Sequence, residues 1–148
     1  MREPFVMLVD DETDFLEVTE KRLSPRNVKT VTAKSAKECL EKLAAHETLD
    51  VIVLDMKMPG MGGLTALKEI KENFPLIEVI MLTGHGSMET AIEAMKKGAF
   101  DFLVKPFNID ELLANIEDAT KKKREHEEKI KIALKQEILS KYGPFYYT

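Results

Sequence analysis

"EVIMLTGHGSMETAIEAMKKGAFDFLVKPF", Glu78 to Phe107, holds two apolar runs separated by a segment of helical period. The first run reaches Thr83 and the second stops at Lys105, directly before Pro106. Two short hydrophobic strands therefore each deliver one polar group, a hydroxyl and an amine, at the same end. Between them Ala91, Ile92 and Met95 recur at helical spacing, Ser87 reads as a helix N-cap, and Gly98 fits a helix stop.

The same alternation runs through the chain before this stretch. Phe5–Val9, Val28–Thr32, Asp50–Leu54, Glu78–Leu82 and Asp101–Val104 are of strand length and rich in β-branched residues. Helical periods lie between them: Phe15, Val18, Thr19, Arg22 and Leu23, then Ala36, Leu40 and Leu43, then Leu64, Leu67 and Ile70. Ser35 with Glu38 three residues on predicts a capping box. Such alternation builds an α/β fold, a parallel sheet covered by helices on both faces. The first, third and fourth strands have almost no polar positions, as central strands should, whereas "VKTVT" alternates and suits an edge. Pro59–Gly63, "PGMGG", reads as a turn and not as a nucleotide loop.

Polar chemistry in an open parallel sheet belongs at the carboxyl ends of its strands, where strand order reverses. The residues there are Asp10 and Asp11 with Glu12 next, then Asp55, Thr83 and Lys105. The second strand offers only Thr32 and Ala33. Nearby carboxylates raise one another's pKa unless a cation sits among them. A few hard oxygen ligands with room for water and phosphate oxygens describe a magnesium site. A carboxylate beside Mg2+ is a competent nucleophile toward phosphorus. Thr83 and Lys105 can then serve the phosphoryl oxygens. One acid in a loop is ordinarily just solvated; several at matching strand ends are a site.

These residues resemble the receiver domain of two-component response regulators. The matching pieces are "LVDDE" (Leu8–Glu12), "LDMKMPGMGG" (Leu54–Gly63), "MLTGHG" (Met81–Gly86) and "FLVKPF" (Phe102–Phe107), in order and in spacing. The resemblance spans about Pro4 to Ala119 and is specific because five polar positions fit together. It implies a doubly wound, flavodoxin-like sheet of five parallel strands in the order 2-1-3-4-5. It further implies Asp55 as phosphoacceptor, with Asp10, Asp11, Asp55 and the Met56 carbonyl holding Mg2+. Thr83 and Lys105 take phosphoryl-sensing roles, with a cis Lys105–Pro106 bond, and Phe102 falls on the switch-aromatic position. Lys57 and His85 occupy positions that flank the phosphoryl group and tune its loss. Within the family, the stretch from Thr83 to Phe107 looks most like receivers fused to AAA+ transcription activators of the nitrogen-regulator type.

The expected function is that of a signalling receiver, phosphorylated on Asp55 by a histidine kinase. It is not an enzyme beyond its own phosphorylation and dephosphorylation. A haloacid-dehalogenase-type phosphatase also uses an aspartate nucleophile and magnesium, but it wants an acid two residues after the nucleophile, where Lys57 stands. A pseudo-receiver, which only binds protein, usually lacks an acid or the lysine, and none is lacking here.

Domain organisation is expected to be a receiver over residues 1–120 and a helical tail or linker over 121–148. A last helical segment begins near Asp110 with Leu112, Leu113 and Ile116 and meets no Pro or Gly until Gly143. Thr120 to Lys129, "TKKKREHEEK", has no large apolar side chain and is expected to bridge solvent. The i,i+4 pairs Lys121–Glu125, Lys123–Glu127 and Arg124–Glu128 make the basic run a solvated face and not a nucleic-acid patch. Beyond it Ile130, Leu134 and Ile138 form one narrow stripe, so a homodimer through this helix and the receiver face is expected. There is no Gly-x-x-x-x-Gly-Lys-[Ser/Thr] loop, and the 28 residues after Thr120 are too few for a helix-turn-helix domain. The chain is expected to be a stand-alone receiver or a receiver and linker cut from a longer protein, with Met1 so near the first strand favouring a natural start.

Composition agrees with an ordinary soluble domain, at 44% hydrophobic and 32% charged residues. A net charge of -4 argues against direct DNA binding, no run approaches a membrane span, and the lone Cys39 permits no intrachain disulfide. A cytoplasmic location is expected. Cys39 reads as packing, and His46 and His126 as surface residues.

Overall fold

The computed structural model describes residues 2–58, 60–84 and 88–144. Five strands, β1 (Phe5–Val9), β2 (Lys29–Ala33), β3 (Val51–Asp55), β4 (Glu78–Thr83) and β5 (Asp101–Val104), form one parallel sheet in the order β2-β1-β3-β4-β5. The helices are α1 (Thr13–Leu23), α2 (Ala36–Leu43), α3 (Gly63–Asn73), α4 (Met88–Lys96) and α5 (Ile109–Tyr142). This is the parallel sheet with helices on both faces that the alternation predicts, in the doubly wound, flavodoxin-like order that the family resemblance implies. No helix among the described residues is long and apolar enough to cross a membrane.

Strand periodicity divides the interior into two cores. Met7, Val9, Ile52, Leu54, Val79 and Met81 point to the face covered by α2, α3 and α4. Their neighbours Val6, Leu8, Val51, Val53, Ile80 and Leu82 point to the opposite face, against Leu16 and Leu23 of α1 and Leu112, Ile116 and Ala119 of α5. Alternate residues of a strand face opposite ways, so strands apolar at every position need cover on both sides. At edge strand β2 only Ala33 is fully buried.

Several boundaries differ from the sequence reading. Strands β2 and β3 each begin one residue later than predicted, and β4 reaches Thr83. The buried stripe of α1 is Leu16, Thr19 and Leu23, while Val18 is 50% exposed. The Ser35 half of the α2 capping box is as expected, its Oγ accepting from Glu38 N at 3.1 Å, whereas Glu38 Oε2 accepts from Lys34 N, one residue before the cap, at 2.9 Å. That backbone bond and the Lys42 ammonium hold the Glu38 carboxyl below its ordinary pKa. Gly98 follows α4 with φ +100°, a conformation that favours glycine. Ser87, the expected cap of α4, lies outside the described residues. Cys39 is fully buried, and burial pushes its thiol up to about 12, consistent with a packing role.

The largest departure concerns α5. Thr120 to Lys129 does not simply bridge solvent: Thr120 and Lys123 are buried, and Arg124 still bonds to Asp50 and to the backbone of Arg2 and Glu3, just ahead of β3 and β1. Asp50, 0% exposed where the chain enters β3, accepts from Phe5 N at 2.9 Å. It also lies 3.3 Å from the Lys123 ammonium, 3.1 Å from the Arg124 guanidinium and 3.4 Å from Arg2. Glu78, opening β4, lies 3.2 Å from both Lys71 and Lys122. Long basic side chains can pack their stems while their charges meet buried acids. That is why a run without large apolar residues still docks. Of the three predicted i,i+4 pairs, Lys123–Glu127 forms at 3.1 Å, but Arg124 turns to Asp50.

Candidate phosphoryl and metal site

The register brings the strand ends level. Val9 pairs with Leu54, Asp55 with Leu82, and Thr83 with Val104, so the polar residues that end or follow these strands gather on one rim. Strand order reverses between β1 and β3, where a crevice opens. Asp10 is fully buried there, and its Oδ1 accepts from Glu12 N at 2.9 Å. Asp55 is buried at the tip of β3, and Asp11 is exposed above them. One carboxylate oxygen from each of the three lies within 4.8 Å of the others, so the set could hold a metal ion.

Lys105 reaches in from the far edge, donating to Asp10 Oδ2 at 2.6 Å and standing 3.7 Å from Asp55 Oδ1. Its backbone N–H donates to Thr83 O at 2.7 Å, which ties the end of β5 to that of β4. The Lys105–Pro106 bond is cis, as expected. Thr83 is buried at the end of β4. Met56 N donates to Leu82 O at 2.7 Å, and Met56 O accepts from Gly63 N at 3.1 Å. A Cβ at Gly63 would stand 2.6 Å from Asp55 O and 2.9 Å from Met56 O. Only glycine lets the start of α3 close on the backbone behind the acids.

Lys57 is exposed, and its backbone N–H donates to Asp55. Phe102 is half-buried against the α2–α4 core. His85 lies outside the described residues. Sequence reasoning missed Phe15, whose ring lies 4.2 Å from the Lys105 ammonium. An aromatic in the first turns of α1, just after the paired acids, was the available signal.

Burial, then the neighbouring Asp10, raises the Asp55 carboxyl from 3.8 to about 6, and Lys105 only partly opposes this. Three carboxylates with one ammonium are short of positive charge, and their hard oxygens suit a divalent ion. The sign of the pH effect follows. Without metal, folded Asp55 binds more protons than unfolded Asp55 between about pH 4 and 6, so its contribution falls as pH rises through that window. Metal-free protein is expected to lose up to about 3 kcal/mol from this group between pH 4 and 7, and Mg2+ to restore part of it. Denaturant titrations of the wild type and Asp55→Asn check this; parallel pH profiles would refute it.

A profile of the response regulator receiver domain matches residues 6–117. The chain is 41% identical over 119 residues to the DNA-binding transcriptional regulator NtrC of Escherichia coli K12, covering 80% of this chain and 25% of that protein. It is 36% identical over 141 residues to a putative NtrX-like response regulator of Rickettsia bellii, covering 92% of this chain and 28% of that protein. The chain thus spans about a quarter of the length of these relatives, which are of the activator type that the Thr83–Phe107 stretch resembles. A crystal structure of a response regulator receiver domain protein from Clostridium thermocellum superposes with a TM-score of 0.78 at 37% identity, over 82% of this chain and 97% of that one. With the fold and the strand-end acids already described, this chain belongs to the response regulator receiver family.

Proposed function

We propose that the chain is a phosphoacceptor in two-component signalling, taking a phosphoryl group on Asp55 from a histidine kinase in a magnesium-dependent reaction. One observation carries the reading: Asp55 alone ends the central strand β3, facing Asp10, Asp11 and Lys105. An Asp55 oxygen attacks phosphorus as the bond to the donor histidine nitrogen breaks; that nitrogen keeps the electron pair, and an acyl phosphate forms. Asp10, Asp11, Asp55 and the Met56 carbonyl would hold Mg2+, which when bound offsets charge on the transferring phosphoryl group. Lys105 leaves Asp10 for a phosphoryl oxygen, and Thr83 Oγ1 donates to another. Lys57 and His85 take the family's role of tuning the loss of that group. Mass spectrometry after incubation with acetyl phosphate tests the reading. One phosphoryl group per chain with magnesium, and none with a chelator, is the expected result; equal labelling in both would defeat it.

In this reading Thr83 and Phe102 form the switch. Thr83 moves toward the phosphoryl group, Phe102 turns inward, and the α4–β5–α5 face changes shape. That face already exposes Met88, Ile92, Met95 and Val104. Residues 1–120 act as the receiver and the part of α5 beyond them as a linker, in a cytoplasmic protein that leaves DNA to other chains or domains. Ile130 and Leu134 remain exposed on α5, and a second copy would cover them in a homodimer. The stripe is under two heptads, so association is expected to be modest, with a Kd of about micromolar or weaker. Sedimentation of the wild type, of Ile130→Asp/Leu134→Asp and of a chain ending at Glu128 measures it. Identical monomers, with and without phosphodonor, would end the dimer reading.

A further inference from the structure

Lys105 is held on a side that phosphoryl chemistry does not explain. Besides Asp10 and Asp55, its ammonium meets the face of Phe15, 4.2 Å from the ring centroid. That ring is itself fixed edge-on by Phe107, with centroids 6.0 Å apart and planes at 86°. Phe15, Lys105, Pro106 and Phe107 line one side of a cavity of about 370 Å³ between α1 and the start of α5. The space beside the lysine is therefore open, and a flexible four-carbon chain could swing into it.

We propose that Phe15 is a positioning residue for Lys105, its ring being the seat that keeps the ammonium beside Asp55. An ammonium over an aromatic face is attracted by the ring quadrupole, more so when partly desolvated. Lys105 is only 18% exposed. The seat matters because Asp10 has two claims on it. It is the ammonium's nearest partner at 2.6 Å, and it belongs to the acid set that could hold a cation. A divalent ion on those acids competes with Lys105 for Asp10, whereas the uncharged ring does not compete. When the carboxylate is taken, the ring still restrains the ammonium. A leucine at this position would fill similar space and leave the lysine free to enter the cavity. The geometry also accounts for α1, where Leu16 and not Phe15 is buried in the core.

The role rests on the phosphoryl-transfer reading, so the test has two arms that can fail separately. In the full chain carrying 13C-lysine, the Lys105 ε-methylene protons are expected to be shifted upfield by the ring current. Their signal is assigned by its absence from Lys105→Arg. Phe15→Tyr should keep the shift and Phe15→Leu should lose it; the same shift in wild type and Phe15→Leu overturns the seat. In the second arm, acetyl phosphate with magnesium should label Phe15→Leu roughly 3- to 10-fold more slowly, with Phe15→Tyr near wild type. A Phe15→Leu chain that loses the shift but labels at the wild-type rate overturns the positioning role. Failure of the wild type to label removes the functional reading and the role with it, while the first arm still reports on the seat. If Phe15→Leu does not fold, Phe15→Met, equally without a ring, replaces it in both arms.

Discussion

Asp55→Asn is expected to reduce phosphoryl labelling by more than about two orders of magnitude, because an amide oxygen is a poor nucleophile toward phosphorus. The same substitution is expected to stabilise the metal-free protein at pH 7. The carboxyl it replaces is buried, faces Asp10, and is pushed up to about 6. Charging it at neutral pH costs about 1–3 kcal/mol, and a neutral amide of the same shape avoids that cost. A variant that cannot be labelled yet unfolds at higher denaturant identifies a group kept for chemistry and not for stability. Mass spectrometry and urea titration in chelator make the two measurements. Full labelling of Asp55→Asn would move the phosphoacceptor elsewhere, and a less stable variant would contradict the electrostatic account.

At the opposite end of the sheet, Asp50→Ala is expected to cost about 3–5 kcal/mol, since removing one member of a buried charge group strands the others. Asp50 is 0% exposed and Lys123 is 3% exposed, so that ammonium would stay buried with its buried partner gone and only the more exposed Glu127, 3.1 Å away, left to it. Phe5 N would also lose its acceptor. Lys122, with a side chain 48% exposed, should matter far less, under about 1 kcal/mol on substitution by Ala. Adding Lys123→Met to Asp50→Ala should recover part of the loss, because the stranded charge is removed together with its partner. Urea unfolding of the wild type, Asp50→Ala, Lys123→Met and the double variant gives the cycle. A loss below about 1 kcal/mol for Asp50→Ala would show that water reaches the cluster and that the charges are screened.

The two ends of the sheet were not equally legible in the sequence. The rim carrying Asp10, Asp11, Asp55, Thr83 and Lys105 could be placed because strand ends in a parallel sheet converge whatever the details of packing. A strand starting one residue late, as β2 and β3 do, leaves that convergence intact. Helix faces were harder. Phe15, Val18 and Arg22 fit a helical period as well as Leu16, Thr19 and Leu23 do, and only the position of the sheet and of Lys105 decides between them. The basic run after Thr120 was misread for a related reason. Viewed along the helix, Lys123 and Arg124 look the same whether their partners are Glu127 and Glu128 or a buried acid 73 residues earlier in the chain. The clue lay in "DVIVL" and "EVIML", where an acid opens an otherwise apolar run and needs a cation from somewhere.

Because that acid grips α5 near its middle, the helix has a mechanical gain. Its 34 residues run without a break, and 18 of them lie beyond Arg124. At 1.5 Å per residue, that arm is about 27 Å long. A rotation of roughly 10° where α5 sits on the sheet would carry Tyr142 about 5 Å sideways, several times the displacement at the pivot. Adjustments of a few tenths of an ångström around Asp55 need not travel through a chain of side chains to be felt at the far end. They need only re-seat one stiff rod, and a helix gripped by buried charges bends less readily than a loop would in its place.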